Sequence, residues 1–374
     1  MSTMGRGHTH DPARQEELVA PAVADAFTLP ASWYTRADVF QAERERVFSA
    51  TWQLVAHSAA LSKPGDYVTV NLVGEPLLLV RGDDGVLRAF YNVCRHRAGP
   101  VALGSGCRRA FQCGYHGWTY GLDGRLRQAR EIQGTRHFDP EEYGLVPVGV
   151  ADWGPLVFVN LDPAAPPLST VMDPIDQEMS AAGFDLGRVA PRVRRCYEIQ
   201  CNWKVYVDNY LEGYHIPIVH PGLFRELDYL RYQVQPRGHY SKQVSPTRSA
   251  GTGDAQSGYG RYEAGTEALY YWIWPNLMLN IYPDNVSTNV ILPLGADRTL
   301  TIFEWFFLPE VGGEDVEATV AFSDQIQQED IDICEHVARG LQSASYDRGR
   351  FVAARENGVH HFHRLMAAAL PSHR

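Results

Sequence analysis

A chain of 374 residues that is 45% hydrophobic and 21% charged is too long for one ordinary core and too average in composition to be disordered. Its formal net charge of -10, with no run or stripe of Lys and Arg, argues against nucleic acid or an anionic membrane as the main partner and for an enzyme acting on a small molecule. No apolar stretch approaches the roughly 18 to 20 residues of a membrane span. The opening MSTMGRGHTHDPARQEEL also lacks the apolar core of a secretory signal, so a cytoplasmic location is expected.

Residues 1 to about 30 read as a polar arm in which His8 and His10 are solvated. Val39, Phe40, Val47 and Phe48 lie near helical spacing around QAERER and predict a short amphipathic helix over 37–48. From Trp52 to about Asp162 come short β-prone runs separated by turn signals: YVTVNLV, PLLLVRGDDG, LRAFYNV, AFQCGYHGWTYGLDG and PLVFVNLD. They predict a small antiparallel β domain over 49–165, ended by the Pro-rich break Asp162 to Pro167. A second domain over 166–374 opens with a helix, then a strand-like EIQCNWKVY and the ligand-rich segment from Asp208 to His220. ALYYWIWPNLMLNIYP, STNVILPLG and TLTIFEWFFL read as buried antiparallel strands, followed by a helix from about Val316 to Leu341. The fold class is therefore α+β, in two domains after an N-terminal arm and helix (1–48).

The six cysteines (Cys94, Cys107, Cys113, Cys196, Cys201, Cys334) are too few and too irregular for a disulfide framework. Two of them stand beside histidines. Cys94-Arg-His96 and Cys113-Gly-Tyr-His116, separated by sixteen residues, place one Cys and one His on each of two loops. That mixed pairing suits a [2Fe-2S] cluster held by two thiolates and two imidazoles, whose potential is raised from about -400 mV to roughly -150 to +300 mV. A structural zinc site uses the same ligand types but usually pairs like with like, C-x₂₋₄-C against H-x₃₋₅-H. Cys107 breaks the spacing and is read as an incidental thiol.

NVCRHR and CGYHGWTY resemble the Rieske motif of ring-hydroxylating and related non-haem iron oxygenases, and the similarity extends along nearly the whole chain. The resemblance implies that Cys94 and Cys113 bind one iron of the cluster while His96 and His116 bind the other. It also implies a Rieske domain followed by a helix-grip-like catalytic sheet that holds mononuclear Fe(II), a terminal oxygenase (alpha) subunit.

NYLEGYHIPIVH supplies His215 and His220 for that iron. Asp208, Glu212 and His215, at i, i+4 and i+7, are expected to share one helix face, with Pro217 turning the chain so that both imidazoles converge. Two histidines and one carboxylate on one face of an iron leave open positions for dioxygen. The late helix carries an apolar stripe through Phe322, Ile326, Ile333, Val337 and Leu341, and Asp330 falls inside it, whereas Glu329 falls off its other side. A bare carboxylate buried there costs several kcal/mol. Coordination removes that cost, so Asp330 is expected as the third ligand and Glu329 as solvated or supporting. His360, His361 and His363 have no matching carboxylate or Cys spacing.

No strand-GxGxxG-helix unit is present, GTGDAQSGYG at 251–260 having the wrong spacing, so NAD(P)H would serve only through a separate flavin and iron-sulfur reductase or a ferredoxin. In oxygenases of this kind the electron crosses between subunits of a homotrimer through a carboxylate three residues before the first iron-binding His. Here that is Glu212, with Asp208 one turn earlier at most in support. CNWKVYVDNYLEGYHIPIVH and YYWIWPNLMLNIYP resemble the choline, betaine and carnitine branch more than the ring-dihydroxylating one, so a quaternary ammonium substrate is expected. Tyr206, Tyr210, Tyr282 and the alternating Tyr270, Trp272 and Trp274 are candidates for its aromatic cage. Ring dihydroxylation is the alternative reaction. An electron carrier without oxygenase activity is the alternative class, argued against by the length of the chain and by His215, His220 and Asp330.

Overall fold

A computed structural model describes residues 20–248, 262, 263 and 265–370. His8, His10 and the 251–260 loop lie outside them. Two helices come first, α1 (Ala31–Thr35) and α2 (Ala37–Arg46). The expected stripe continues past the end of α2, where Val47 and Phe48 are fully buried in the following turn. By internal contacts the chain divides within α2 into Arg44–Arg188 and a second unit made of Val189–Arg374 with the described residues up to Glu43. The contacts thus carry the first unit past the expected break at Asp162 to Pro167.

The first unit is antiparallel β. Strands β1 (Gln53–His57), β2 (Asp66–Leu72), β3 (Glu75–Arg81), β4 (Leu87–Tyr91) and β5 (Ser105–Cys107) join β9 (Pro147–Trp153) and β10 (Leu156–Asn160) in a seven-stranded sheet of order β1-β10-β9-β4-β3-β2-β5. Between them, β6 (Phe111–Gln112), β7 (Thr119–Tyr120) and β8 (Leu126–Gln128) form a small second sheet. A core of Tyr67, Phe90, Phe111, Trp118 and Tyr120 also contains Cys94 and Cys113. Helix α3 (Ser169–Ala181) follows.

The second unit is a seven-stranded antiparallel sheet of order β11-β17-β16-β15-β14-β13-β12, made of β11 (Ala190–Ile199), β12 (Gln233–Arg237), β13 (Tyr240–Pro246), β14 (Glu267–Ile273), β15 (Leu277–Tyr282), β16 (Asn285–Pro293) and β17 (Thr299–Phe307). Register pairs Tyr270 with Asn280, Asn280 with Ser287 and Ser287 with Trp305, so these side chains share one face. Helix α4 (Trp203–Tyr210) packs on β16 and against α7 (Gly313–Leu341) and α8 (Asn357–Ala369). The short helices α5 (Ile216–Val219) and α6 (Pro221–Glu226) follow α4 in the chain.

Three expectations change. EIQCNWKVY is not one strand: β11 stops at Ile199 and α4 begins after Asn202, whose side chain accepts from the Lys204 N–H at 3.1 Å. Trp203 through Val207 are all buried, so neither period shows, and the Asn cap with tertiary packing overrides the strand propensity of the two valines. Asp208, Glu212 and His215 do not share a face either, because α4 ends at Tyr210 and Glu212 lies in the turn before Gly213. On α7 Phe322 of the expected stripe is buried, but the rest of the buried face runs through Val320, Gln327 and Cys334, and Val337 is 44% exposed. The true face is about a quarter turn from the expected stripe. Its buried polar members have partners, such as Gln327 Nε2 donating to Thr301 Oγ1 at 3.2 Å, and hydrophobicity alone misses them.

Candidate metal centres

The first centre is built from two loops that fold alike. In each, the cysteine N–H donates to the carbonyl five residues on, Cys94 to Gly99 at 2.8 Å and Cys113 to Trp118 at 2.9 Å. Each cysteine carbonyl accepts from the residue four on, Ala98 and Gly117, both at 3.0 Å. That closing residue has positive φ in both loops, 59° at Ala98 and 73° at Gly117. Glycine adopts it freely, whereas alanine bears roughly 1–2 kcal/mol. The backbone frame relative to the cysteine is thus the same in both loops, although His follows Cys at two residues in one and at three in the other.

Both thiols point inward and are 3% exposed, while His96 and His116 are exposed with ring centroids 4.6 Å apart. His96 stacks on the buried Trp118 at 4.9 Å. The Tyr120 hydroxyl accepts from the Arg95 N–H at 2.9 Å, which leaves its own proton for the Cys94 sulfur at 3.3 Å. Asn92 clasps the first loop, accepting from the N–H groups of Val101 at 3.0 Å and Ala102 at 3.1 Å. Two inner thiols and two outer imidazoles fit a Rieske cluster.

The second centre gathers at Asp330, halfway along α7. His220 Nε2 lies 2.9 Å from its Oδ1 and His215 Nε2 lies 3.9 Å away, and one ligand atom from each of the three residues falls within 4.8 Å of the others. His215 stands just before α5 and His220 between α5 and α6, so Pro217 and Pro221, each in the first turn of its helix, set the two imidazoles on successive short helices. Their far nitrogens are held by carboxylates: His215 Nδ1 by Glu212 Oε1 at 2.6 Å and His220 Nδ1 by Glu329 Oε2 at 2.7 Å. A carboxylate on Nδ1 fixes the tautomer that offers Nε2 to a metal. Burial draws the His220 pKa down, but the bonds and charges of Asp330 and Glu329 outweigh it and raise the value above that of a free imidazole. Negative charge is thus focused on the point where a cation would sit, and the donor set fits ferrous iron.

Asn209 Nδ2 donates to Asp330 Oδ1 at 2.5 Å, and Glu329 supports His220; no spacing in the sequence marks Asn209, and Glu329 was expected only as solvated or supporting. Asp208 is not part of this cluster, which corrects the expectation of a supporting role there. It faces away and accepts from the Tyr34 hydroxyl at 2.6 Å and from His363 Nε2 at 2.9 Å. Because His363 Nδ1 accepts from the Leu29 N–H at 3.1 Å, Nε2 is the protonated nitrogen.

A cavity of about 820 Å³, open mouth included, reaches the triad and is lined by Tyr206, Tyr210, Tyr270, Tyr282, Phe303 and Trp305. Trp272 takes no part in this lining: it donates to the Pro275 carbonyl at 3.0 Å and packs edge-on against Phe362. Trp274 does not line it either. Tyr210 donates to Asn280 Oδ1 at 2.9 Å, and the Tyr270 and Tyr282 hydroxyls meet at 2.8 Å.

Residues 51–139 match the family model for a Rieske [2Fe-2S] domain, and residues 186–372 match that for a ring hydroxylating alpha subunit (catalytic domain). The chloroplastic choline monooxygenase of Arabidopsis thaliana is 36% identical over 91% of this chain and 82% of that protein. The carnitine monooxygenase oxygenase subunit of Escherichia coli (strain K12) is 34% identical over 92% of this chain and 94% of its own. The structure of a quaternary ammonium Rieske monooxygenase in complex with L-carnitine superposes with a TM-score of 0.81 at 30% identity, covering 95% of this chain and 98% of that one. Naphthalene 1,2-dioxygenase from Rhodococcus sp., at 18% identity and a TM-score of 0.75 over 93% of this chain and 95% of that one, shares the fold.

Proposed function

We propose, because this chain belongs to the Rieske non-haem iron oxygenase family as an alpha (terminal oxygenase) subunit, that it hydroxylates a small quaternary ammonium compound. The observation that carries this reading is the cavity itself. Aromatic rings line it, beside the three residues of the second centre. A methylated ammonium gains roughly 0.5 to 2 kcal/mol per ring contact. Its similarity to choline and carnitine monooxygenases supports the same choice.

His215, His220 and Asp330 would hold the mononuclear iron, which supplies dioxygen activation when bound; Cys94 and Cys113 would hold one iron of the cluster, His96 and His116 the other. Glu212 and Glu329 hold the imidazoles in the metal-binding tautomer. The aromatic wall orients the N-methyl or N-methylene group toward the triad and keeps water from it. Electrons would come from a separate flavin and iron-sulfur reductase, or a ferredoxin, at the expense of NAD(P)H. The assembly would be a homotrimer in which Glu212 links one copy's iron to the neighbour's cluster. Exposed Tyr115 beside His116, and exposed Tyr214 and Ile218 beside His215, support such a contact between copies. Free cysteines, two of them exposed, suit a reducing cytoplasm.

The test is dioxygen uptake by the reconstituted system with choline, betaine, carnitine and proline betaine against aromatic acids and hydrocarbons. Uptake matched by hydroxylated or N-dealkylated product is expected with at least one quaternary amine. Coupling confined to aromatic compounds would favour ring dihydroxylation, which the same rings also suit.

A further inference from the structure

The sheet face that looks into the cavity carries a polar strip between aromatic flanks. Across one row stand Tyr270 on β14, Asn280 on β15, Ser287 on β16 and Trp305 on β17, and two residues further along β16 Asn289 is paired with Phe303. Asn280, Ser287 and Asn289 all line the cavity. Their hydrogen bonds run in one direction. Asn280 Oδ1 accepts from the Tyr210 hydroxyl at 2.9 Å, so Nδ2 turns to β16 and donates to Ser287 Oγ at 2.9 Å, with Asn289 Oδ1 farther off at 3.4 Å. On β16 it is thus the acceptor atoms that are engaged. Ser287 keeps its own proton, and Asn289 its Nδ2–H groups, without an acceptor among the described residues, although the two residues are only 5% and 3% exposed.

Buried donors left without acceptors are costly, and they are rare enough in folded proteins to call for a partner. We propose, on the reading that the substrate is a quaternary ammonium compound, that Ser287 and Asn289 form a subsite for an uncharged oxygen on the substrate's arm, the hydroxyl of a quaternary amino alcohol. The ammonium then lies against the rings while the oxygen accepts from the strip between them. Both donors are neutral, which suits a hydroxyl. A carboxylate carried in from water needs a counter-charge, and no Lys or Arg is among the described residues that line the cavity. Selectivity follows from the same two side chains. A site that aims buried donors at an oxygen discriminates strongly against the analogue that lacks it, because the donors are then left bare.

The experiment titrates the anaerobic holo-protein with three trimethylammonium ligands that differ only in the arm: choline, ethyltrimethylammonium and glycine betaine. Calorimetric Kd values are compared for wild type, Ser287→Ala and Asn289→Leu, with the visible spectrum of the cluster and unfolding curves as checks on the fold. Wild type should bind choline roughly tenfold or more tightly than either of the others. Each variant should lose most of that preference while its affinity for ethyltrimethylammonium stays within about twofold of wild type. A loss of shape alone, relayed through Asn280, would weaken all three ligands alike and leave the preference standing, which overturns the subsite. So does a wild type that binds choline and ethyltrimethylammonium equally, since water alone then meets the donors. A preference for betaine that the variants abolish overturns the uncharged oxygen and gives the two donors to a carboxylate. If Asn289→Leu does not fold, Ser287→Ala, smaller by one oxygen, decides. A wild type that binds none of the three yet couples dioxygen uptake to aromatic compounds overturns the quaternary ammonium reading itself, which the other outcomes leave in place.

Discussion

Three carboxylates within reach of two imidazoles do different work at the second centre, and their positions predict how each fails. Asp330 faces both Nε2 atoms, so Asp330→Ala should lose the mononuclear iron outright while the visible spectrum of the cluster stays. Glu329 touches only the far side of His220, so Glu329→Gln should keep the iron with affinity weakened about 10- to 100-fold. Iron analysis after dialysis distinguishes them, and the opposite ranking would move the third ligand to Glu329. Glu212→Gln keeps an acceptor for His215 Nδ1–H but loses the charge. It should retain both metals and slow single-turnover oxidation of the reduced cluster by an order of magnitude or more, and an unchanged rate would remove Glu212 from the electron path. That His215, His220 and Asp330 gather in one place was legible because coordination demands residue types that rarely recur at such spacings. Asn209 was not, since an amide that reaches its partner across 121 residues leaves no local pattern.

At the scale of elements, α2 and α4 meet through charge rather than through an apolar stripe. Glu43 on α2 and Lys204 on α4 are paired with both side chains 0% exposed, and Glu43 also accepts from Trp203 Nε1 at 2.8 Å. Lys204 donates to Asn202 Oδ1 at 2.7 Å as well, so the cap of α4 and the buried pair are one network. Burial pulls the Lys204 pKa below its usual range in spite of the Glu43 charge. Glu43→Gln strands the ammonium and should cost about 3–5 kcal/mol in chemical unfolding, whereas Glu43→Leu with Lys204→Met should recover most of it. If the single change costs under about 1 kcal/mol, water reaches the site. This network also explains what the sequence concealed. Helix α2 was legible, but Glu43 sat on its inner face among residues read as a charged surface. Around α4, Asn202 and Lys204 made a buried helix look like a strand. Along the sheet, simple alternation placed Tyr270 on the cavity face correctly, yet Trp272, on the same face, is drawn to Phe362 on α8 instead. Close approach fixes α8 there: a β-carbon on Gly358 would stand 2.3 Å from the Leu211 carbonyl oxygen. Periodicity reports which face a residue takes, not which neighbour fills it.

For the molecule as a whole, two sequence signals were diluted by distance along the chain. The eight arginines of 94–136 come as pairs and single residues over 43 positions, so no basic run shows although all eight are exposed on the first unit. The second unit draws on both ends of the described chain, with Leu29 and Tyr34 bonded to His363, a link that no local pattern foretells. The proposed homotrimer yields the last prediction. A His96→Ala chain should lack the cluster and keep the iron, whereas a His215→Ala chain should lack the iron and keep the cluster. Each homo-oligomer should therefore be inactive. In a cyclic trimer assembled at random from equal amounts of the two, each directed interface has a chance of one in four of joining an intact cluster to an intact iron, so about a quarter of wild-type turnover should return. Electrons confined to a single chain would leave the mixture dead, since no chain in it holds both centres. The measurement is substrate-coupled dioxygen uptake by the co-expressed, co-purified pair against the two separately purified proteins mixed without exchange, and recovery in the first sample alone would establish transfer between copies.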